Sequence, residues 1–315
     1  MFTYWRAMTL KKRSFTGQVS NIDLRMLRIF KTVVDCGGFS AAEVELNISR
    51  PAISIAISDL EKRFNLKLCQ RGRTGFSLTE EGAEVYQSVL ELLSALETFR
   101  TQVNGINEQL KGELNIGITD NLVTIEHMKL TNALMALKDL GPEIQINLRM
   151  MPPDKIEIDV LDGRLHVGVI PELRPLSGLN YHQLYQEESF LYCSKDHPYF
   201  TLDDKQLTNT IISKSDAVVL SYQQTPEIRH LLQKLNSTAS ATDREGLLFL
   251  ILTGRYIGYL PEHFARQWVT DGKLRAIKPD KFRIESYYSA VTRKSARSNI
   301  ILDNFMELLL KNTEK

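Results

Sequence analysis

The chain has 315 residues, 43% hydrophobic and 24% charged, enough for two or three folded units of ordinary globular composition. Its three cysteines (Cys36, Cys69, Cys193) lie far apart with no CxxC or Cys/His cluster, which argues against a disulfide framework or a structural zinc site and fits a reducing cytoplasm. Net charge is only +1, but residues 1–79 carry 13 Lys and Arg against 6 Asp and Glu, residues 80–112 carry 2 against 6, and the rest 24 against 26, so only the head is expected to meet a polyanion.

In chain order, the first residues are basic but lack the apolar stretch of a secretory signal, so residues 1–20 read as a flexible leader, with Met8 an alternative start. From Asp23, the apolar Leu24, Leu27, Phe30 and Val34 recur at spacings of one helical face, and Gly37-Gly38 closes that helix. Ser40-Ala41-Ala42-Glu43 has the pattern of a capping box for a short second helix to about Leu46. Ser49 is an N-cap candidate and Pro51 fits only a first turn, so a third helix is predicted over Arg50–Arg63.

On that helix Ile53, Ile57, Leu60 and Phe64 share a core-facing side. Pro51, Ile55, Ser58 and Lys62, with Arg50 and Ser54 at the margin, form an opposite face whose only acid, Asp59, sits at the edge. Such a face can enter a major groove about 12 Å wide. Ser40 and Ser49, at the starts of the second and third helices, are counted with it. Leu66–Arg71 and Phe76–Leu78 alternate as strands about the turn Gly72–Gly75, a wing that would bring Arg71 and Arg73 to phosphates. The expected partner is double-stranded DNA.

The stretch from Asp23 to Gly82 resembles the N-terminal domain of LysR-type transcriptional regulators. The resemblance rests on Gly38-Phe39-Ser40-Ala41-Ala42, Leu46-Asn47, Pro51-Ala52-Ile53-Ser54, Leu60-Glu61 and Leu78-Thr79-Glu80-Glu81-Gly82. This chain departs from the family's frequent Arg-Gln at Ile55 and Ala56, and from its Phe at Cys69. Ile55 cannot make the bidentate base contacts of an arginine, but it can pack on a thymine methyl.

Thr79 can cap a long helix, with Glu80 and Glu81 at the positive end of its dipole. Val85, Val89, Leu92, Leu96, Phe99, Val103 and Ile106 then recur every three or four residues, a helix–helix seam. Packing within the chain would satisfy it, but partner-helix packing is the expectation. The resemblance implies a homodimer through this helix, or a homotetramer, and RNA polymerase as a further partner.

Beyond Gly112 the pattern changes to alternating strands and helices: strands at Leu114–Ile118, Ile144–Met150 and Leu165–Ile170, and helices at Val123–Leu140 and Lys155–Leu161. Strands at Phe190–Cys193, Ala217–Leu220, Tyr256–Tyr259 and Tyr287–Thr292 follow, with helices at Glu227–Leu235, Asp243–Leu252 and Asn299–Lys311. A mainly parallel sheet is expected. Gly112–Gly117, Leu161–Leu165, His197-Pro198 and Gly254–Pro261 resemble the effector domain of the same regulators, itself similar to type 2 periplasmic binding proteins. His166 stands where that family commonly has Asp, and packing is its simplest role.

The resulting fold class is an α+β multi-domain protein: an all-α winged helix-turn-helix head (21–79), a long linker helix and hinge (80–112) and a two-lobed α/β effector domain (113–315). One lobe is expected from 113–184 with 285–315, the other from 185–284. Ligands of open α/β sheets sit beyond the carboxyl ends of strands. That nominates Thr119, Asp120 and Asn121 at a helix N-terminus, Met151 and Ile170 after the next strands, and Ser221 and Tyr222 from the second lobe, as contacts for a small-molecule effector. Each could equally be a cap.

Two other classes fit the sequence less well. An α/β enzyme is disfavoured because the six histidines show no HExxH spacing and there is no GxSxG, GxGxxG or P-loop; no cofactor and no metal are expected. An effector-independent architectural DNA-binding protein needs no two-lobed body. No membrane association is expected, since the longest wholly apolar run, Leu247–Leu252, is too short to span a bilayer.

Overall fold

The computed structural model describes residues 18–72, 75–106, 110–126, 129–294 and 299–311. The chain divides into two compact units, Met1–Ser94 and Ala95–Lys315.

The first unit contains α1 (Asn21–Asp35), α2 (Phe39–Leu46), α3 (Arg50–Phe64), β1 (Cys69–Gly72), β2 (Gly75–Leu78) and the start of α4 (Glu80–Ile106). Phe30, Val33, Ile53, Ile57, Leu60 and Leu68 are fully buried in one core, and the Phe30 and Tyr86 rings meet edge to face at 6.3 Å. Helix α1 begins two residues earlier than expected because Ser20 and Asp23 form a capping box. Ser20 Oγ accepts from the Asp23 N–H (3.3 Å), and Asp23 Oδ2 accepts from the Ser20 N–H (2.8 Å). Gln18, assigned above to the leader, accepts from Arg63 through its carbonyl (3.0 Å).

The capping box expected at Ser40 and Glu43 does not form. Helix α2 starts at Phe39 with Gly38 as its N-cap, which puts Ser40 inside the first turn, and Glu43 instead accepts from the Arg50 N–H (3.0 Å). Ser49 is the N-cap of α3 by backbone geometry, but its side chain makes no capping bond. The wing strand is shorter than predicted because the Glu61 carboxylate takes the N–H groups of Leu68 (2.9 Å) and Cys69 (3.2 Å). Thr79 caps α4 as expected, its hydroxyl accepting from the Gly82 N–H (2.8 Å). Gly82 is required there, since a Cβ would lie 2.0 Å from the Leu68 carbonyl oxygen.

The second unit runs β3 (Gly112–Ile118), a 3₁₀ turn (Leu122–Thr124), α5 (Lys129–Leu140), β4 (Ile144–Met150), α6 (Pro153–Leu161), β5 (Val167–Pro171), β6 (Leu179–Ser194), α7 (Asn209–Ile212) and β7 (Asp216–Leu220). It continues with α8 (Pro226–Leu232), β8 (Asn236–Ala241), α9 (Arg244–Leu252), β9 (Ile257–Pro261), α10 (Glu262–Thr270), β10 (Leu274–Ala276), β11 (Arg283–Arg293) and α11 (Ile300–Lys311). The helix predicted over Val123–Leu140 is thus a 3₁₀ turn followed by α5: Asn121 in the left-handed region (φ 56°) breaks the backbone before it. Helices α7 and α10 and strands β8 and β10 were not anticipated.

The strands form one sheet in the order β4-β3-β5-β11-β6-β9-β7-β8, with β10 on β6. It is not mainly parallel. Parallel triplets β4-β3-β5 and β9-β7-β8 flank an antiparallel ribbon of β6 and β11, because the chain crosses between the two halves on these strands. Apolar cores lie to either side: Leu114, Ile116, Val167 and Phe305 on one, Leu191, Ile257, Leu247 and Leu260 on the other. The expected lobe limits near 185 and 285 fall inside the ribbon strands themselves. Within the ribbon Tyr185 opposes Tyr288 and Gln183 opposes Ser289, so Leu184 is an extra residue and forms a β-bulge.

Candidate functional site

In the head, α3 is held by one face and free on the other. Ile53, Ile57 and Leu60 are fully buried, whereas Arg50, Pro51, Ile55 and Lys62 are exposed and Ser54 and Ser58 half-buried. Ile55 is 62% exposed, at the middle of the free face. Ser40 and Ser49 are exposed beside it. Asp59, the acid at the edge, pairs with Lys62 at 3.0 Å. Arg71 lies in β1 opposite Phe76; Arg73 lies outside the described residues.

Two buried carboxylates, both overlooked in the sequence as functional supports, fix this surface. Burial pushes Glu61 up, but Lys67 (2.6 Å) and the wing N–H groups outweigh it and hold its carboxyl below the usual range. Asp23 is likewise raised by burial and lowered further by Ser20 and Arg63, so it too stays low. Glu61 therefore ties the wing to α3, and Asp23 ties α1 to the end of α3.

Along α4 the expected seam divides. Val85, Val89 and Leu92 pack into the head's own core, Leu96 is half-buried, and Phe99 (65%) and Val103 (41%) are exposed. The side chain of Ile106 lies outside the described residues.

In the second unit the polar centre is Arg244, the first residue of α9 and buried. Its guanidinium donates to Asp120 Oδ1 (2.8 Å) and to the Tyr288 hydroxyl (2.8 Å), and lies 3.6 Å from Glu187 Oε1. Glu187 is bonded in turn to His263 Nε2 (3.0 Å), whose Nδ1 faces the Thr124 hydroxyl (2.6 Å). Arg266 joins Glu262 and Glu126. The segment 120–126, after β3, is thereby tied at three points to α9 and α10. Burial would lower Arg244, but Tyr288, Tyr222, Glu187 and Asp120 outweigh it and keep the charge in place. Burial pushes the Tyr222 phenol up to about 12, against the pull of Arg244.

Several buried polar atoms near this centre have no partner among the described residues: Thr119 Oγ1, both amide atoms of Asn121, the Tyr185 hydroxyl and Glu187 Oε1 as a hydrogen-bond acceptor. Unmet groups of this kind are costly to bury and suit a polar ligand. Thr119, Asp120, Asn121 and Tyr222 are thus brought to one region, although no α-helix begins after Asn121, so the expected helix-end anion site is absent. Ile170 is a correction: its side chain is fully buried against α6 with Ile156 and Val160, and Met151 packs on the same core. Ser221 is exposed. Sequence reasoning missed Arg244, Glu187, His263 and Tyr288, whose partners lie 44 to 139 residues away.

A cavity of about 50 Å³ adjoins Arg244 and Glu187, with Ser189, Gln224, Tyr259 and Ser286 in its wall. Among the described residues there is no cluster of His, Cys, Asp and Glu able to hold a metal ion. No helix among them is long and apolar enough to cross a membrane.

Residues 24–83 match the family model described as bacterial regulatory helix-turn-helix protein, lysR family, and residues 107–314 match the LysR substrate binding domain. The chain is 51% identical over 300 residues to the HTH-type transcriptional activator BauR of Pseudomonas aeruginosa, covering 95% of this chain and 98% of that one. It is 26% identical over 248 residues to the nitrogen assimilation regulatory protein nac of Escherichia coli K12, covering 78% and 80%. In fold it is similar to full-length CbnR complexed with its target DNA, at TM-score 0.63 and 18% identity over 93% of this chain and 100% of that one.

Proposed function

The chain belongs to the LysR family of transcriptional regulators, and from that premise we propose which of its residues meet DNA, effector and partner chain. It is a DNA-binding regulator with an effector domain, not an enzyme. The DNA-contacting surface is Ser40, Ser49, Arg50, Pro51, Ser54, Ile55, Ser58 and Lys62, with Arg71 and Arg73 gripping phosphates. The observation that carries this reading is the exposed, acid-poor face of α3 opposite a fully buried one. Domain limits follow at 21–79, 80–112 and 113–315.

The effector site is the region of Thr119, Asp120, Asn121 and Tyr222, extended to Arg244, Glu187 and Tyr288. A ligand that satisfies the unmet groups there would bind one arrangement of the two halves better than another, and only such a difference shifts their population. Phe99 and Val103 are the part of the seam left for a second copy of the chain. The relative's name supports activation, to which we add a cytoplasmic location and contact with RNA polymerase.

Binding of the full-length chain to operator variants, measured against salt, tests the DNA surface. Arg71→Ala or Arg73→Ala should weaken binding to all sequences and reduce the salt slope by about 1. Ile55→Ala should change which bases are preferred, and a uniform loss of affinity at Ile55 would remove it from the base-reading face.

A further inference from the structure

A second cavity, of about 240 Å³, lies between one face of the sheet (Ile118, Val169, Leu184) and the residues Leu122, Val123, Ile125, Lys129, Leu130 and Leu134. Its lining is almost wholly apolar. Apart from the exposed Thr131, two polar side chains reach it. Lys129, the first residue of α5, donates from Nζ to the carbonyl of Leu184 (2.7 Å), the residue that the β-bulge leaves without a register partner. Among the described residues Lys129 has no acidic partner. Burial pushes its ammonium below the usual lysine range. The Tyr185 hydroxyl, next along the same strand, is buried and makes no hydrogen bond among the described residues.

The combination selects a ligand by chemistry. A dry cavity of about 150 Å³ accepts a benzene ring, so this one has room for a ring or short chain bearing a head group. An uncompensated cation and a free phenol beside apolar walls call for an anionic acceptor; a cationic head would be repelled, and a neutral one would leave Lys129 without a counter-ion.

We propose that this cavity is a ligand site in its own right, taking a small apolar carboxylic acid whose carboxylate lies between Lys129 Nζ and the Tyr185 hydroxyl. Its lining contains none of Asp120, Arg244 and Glu187, the residues assigned to the effector, and Tyr185, whose hydroxyl is also near that centre, joins the two regions. Tyr185 stacks on Tyr288 (4.9 Å between ring centroids, 13° between planes), and Tyr288 accepts from Arg244. An occupant that orders Tyr185 therefore acts on the contacts of Arg244.

Calorimetric titration of the full-length chain with 3-phenylpropanoate and with its neutral amide tests the site. The acid should bind saturably, and the amide at least tenfold more weakly. Lys129→Met should cost the acid tenfold or more, and the isosteric Tyr185→Phe about threefold to tenfold. Leu134→Trp should block the cavity to both probes, while Asp120→Asn should alter the acid's affinity far less than Lys129→Met does. Failure of the acid to saturate by about 10 mM, equal affinity for acid and amide, or wild-type affinity in both Lys129→Met and Tyr185→Phe overturns the proposal. If Asp120→Asn abolishes acid binding and Lys129→Met does not, the acid sits at the effector centre, and only the second site falls.

Discussion

Arg244 keeps a charge where water barely reaches, and it does so with two carboxylates and a phenol around it. Replacing buried ionic partners together is often tolerated, but removing one strands the other. Arg244→Gln leaves Asp120 and Glu187 without their cation, and should destabilise the body by about 3–5 kcal/mol, read as a lowered midpoint in denaturant. Thr119→Val is the contrasting case. Its hydroxyl is buried and unpartnered, so loss of the hydroxyl should leave stability and effector-free DNA binding intact while weakening the response to effector about threefold to tenfold. Equal damage from both variants would make Thr119 a structural residue. None of this was legible in the sequence at Arg244, which follows Asp243 and reads only as the start of a helix. An isolated arginine has no periodicity, and its partners are supplied by the crossing of distant strands.

At the scale of elements, the sequence was clearest where structure is made locally. Of the head helices α1 follows from apolar spacing and α3 from Ser49 and Pro51, whereas α2 was inferred from a cap that does not form: Ser20 and Asp23 make the box that Ser40 and Glu43 only resemble. Strand β8 (Asn236–Ala241) escaped notice because an edge strand of small polar residues has no alternation to detect. Helix α4 shows a further limit, since a period identifies a buried face but not its neighbour. Val85, Val89 and Leu92 serve the head's own core, so Leu92→Asp should unfold the head rather than split an oligomer. Phe99→Asp with Val103→Asp should instead weaken self-association at unchanged head stability. Sedimentation velocity on the double variant, with thermal unfolding beside it, separates the two, and an unaltered oligomer would take the exposed end of α4 out of the interface.

For the molecule as a whole, His166 predicts how the body responds to acid. Its Nδ1 accepts from the Asn115 N–H (3.1 Å), and burial depresses it from 6.5 to about 4. The unfolded chain therefore binds a proton there before the folded chain does. The contribution is fully present above pH 6.5, is lost as pH falls from 6.5 towards 4, and amounts to on the order of 3 kcal/mol. Glu157 and Asp159, which burial holds above the usual carboxylate range, act in the opposite sense. Comparing the wild-type chain with His166→Gln across that interval isolates the histidine, and identical pH profiles would show that it titrates normally. The last consequence belongs to the ribbon of β6 and β11. Both halves of the body hang on the same two hydrogen-bonded strands, so no loose joint lies between them. Relative motion of the halves would therefore have to twist the ribbon like a torsion bar, whose ladder is interrupted at the extra residue Leu184. A ligand that favoured one arrangement of the halves would have to wind or unwind this ribbon, with the bulge as the natural place for the change of twist.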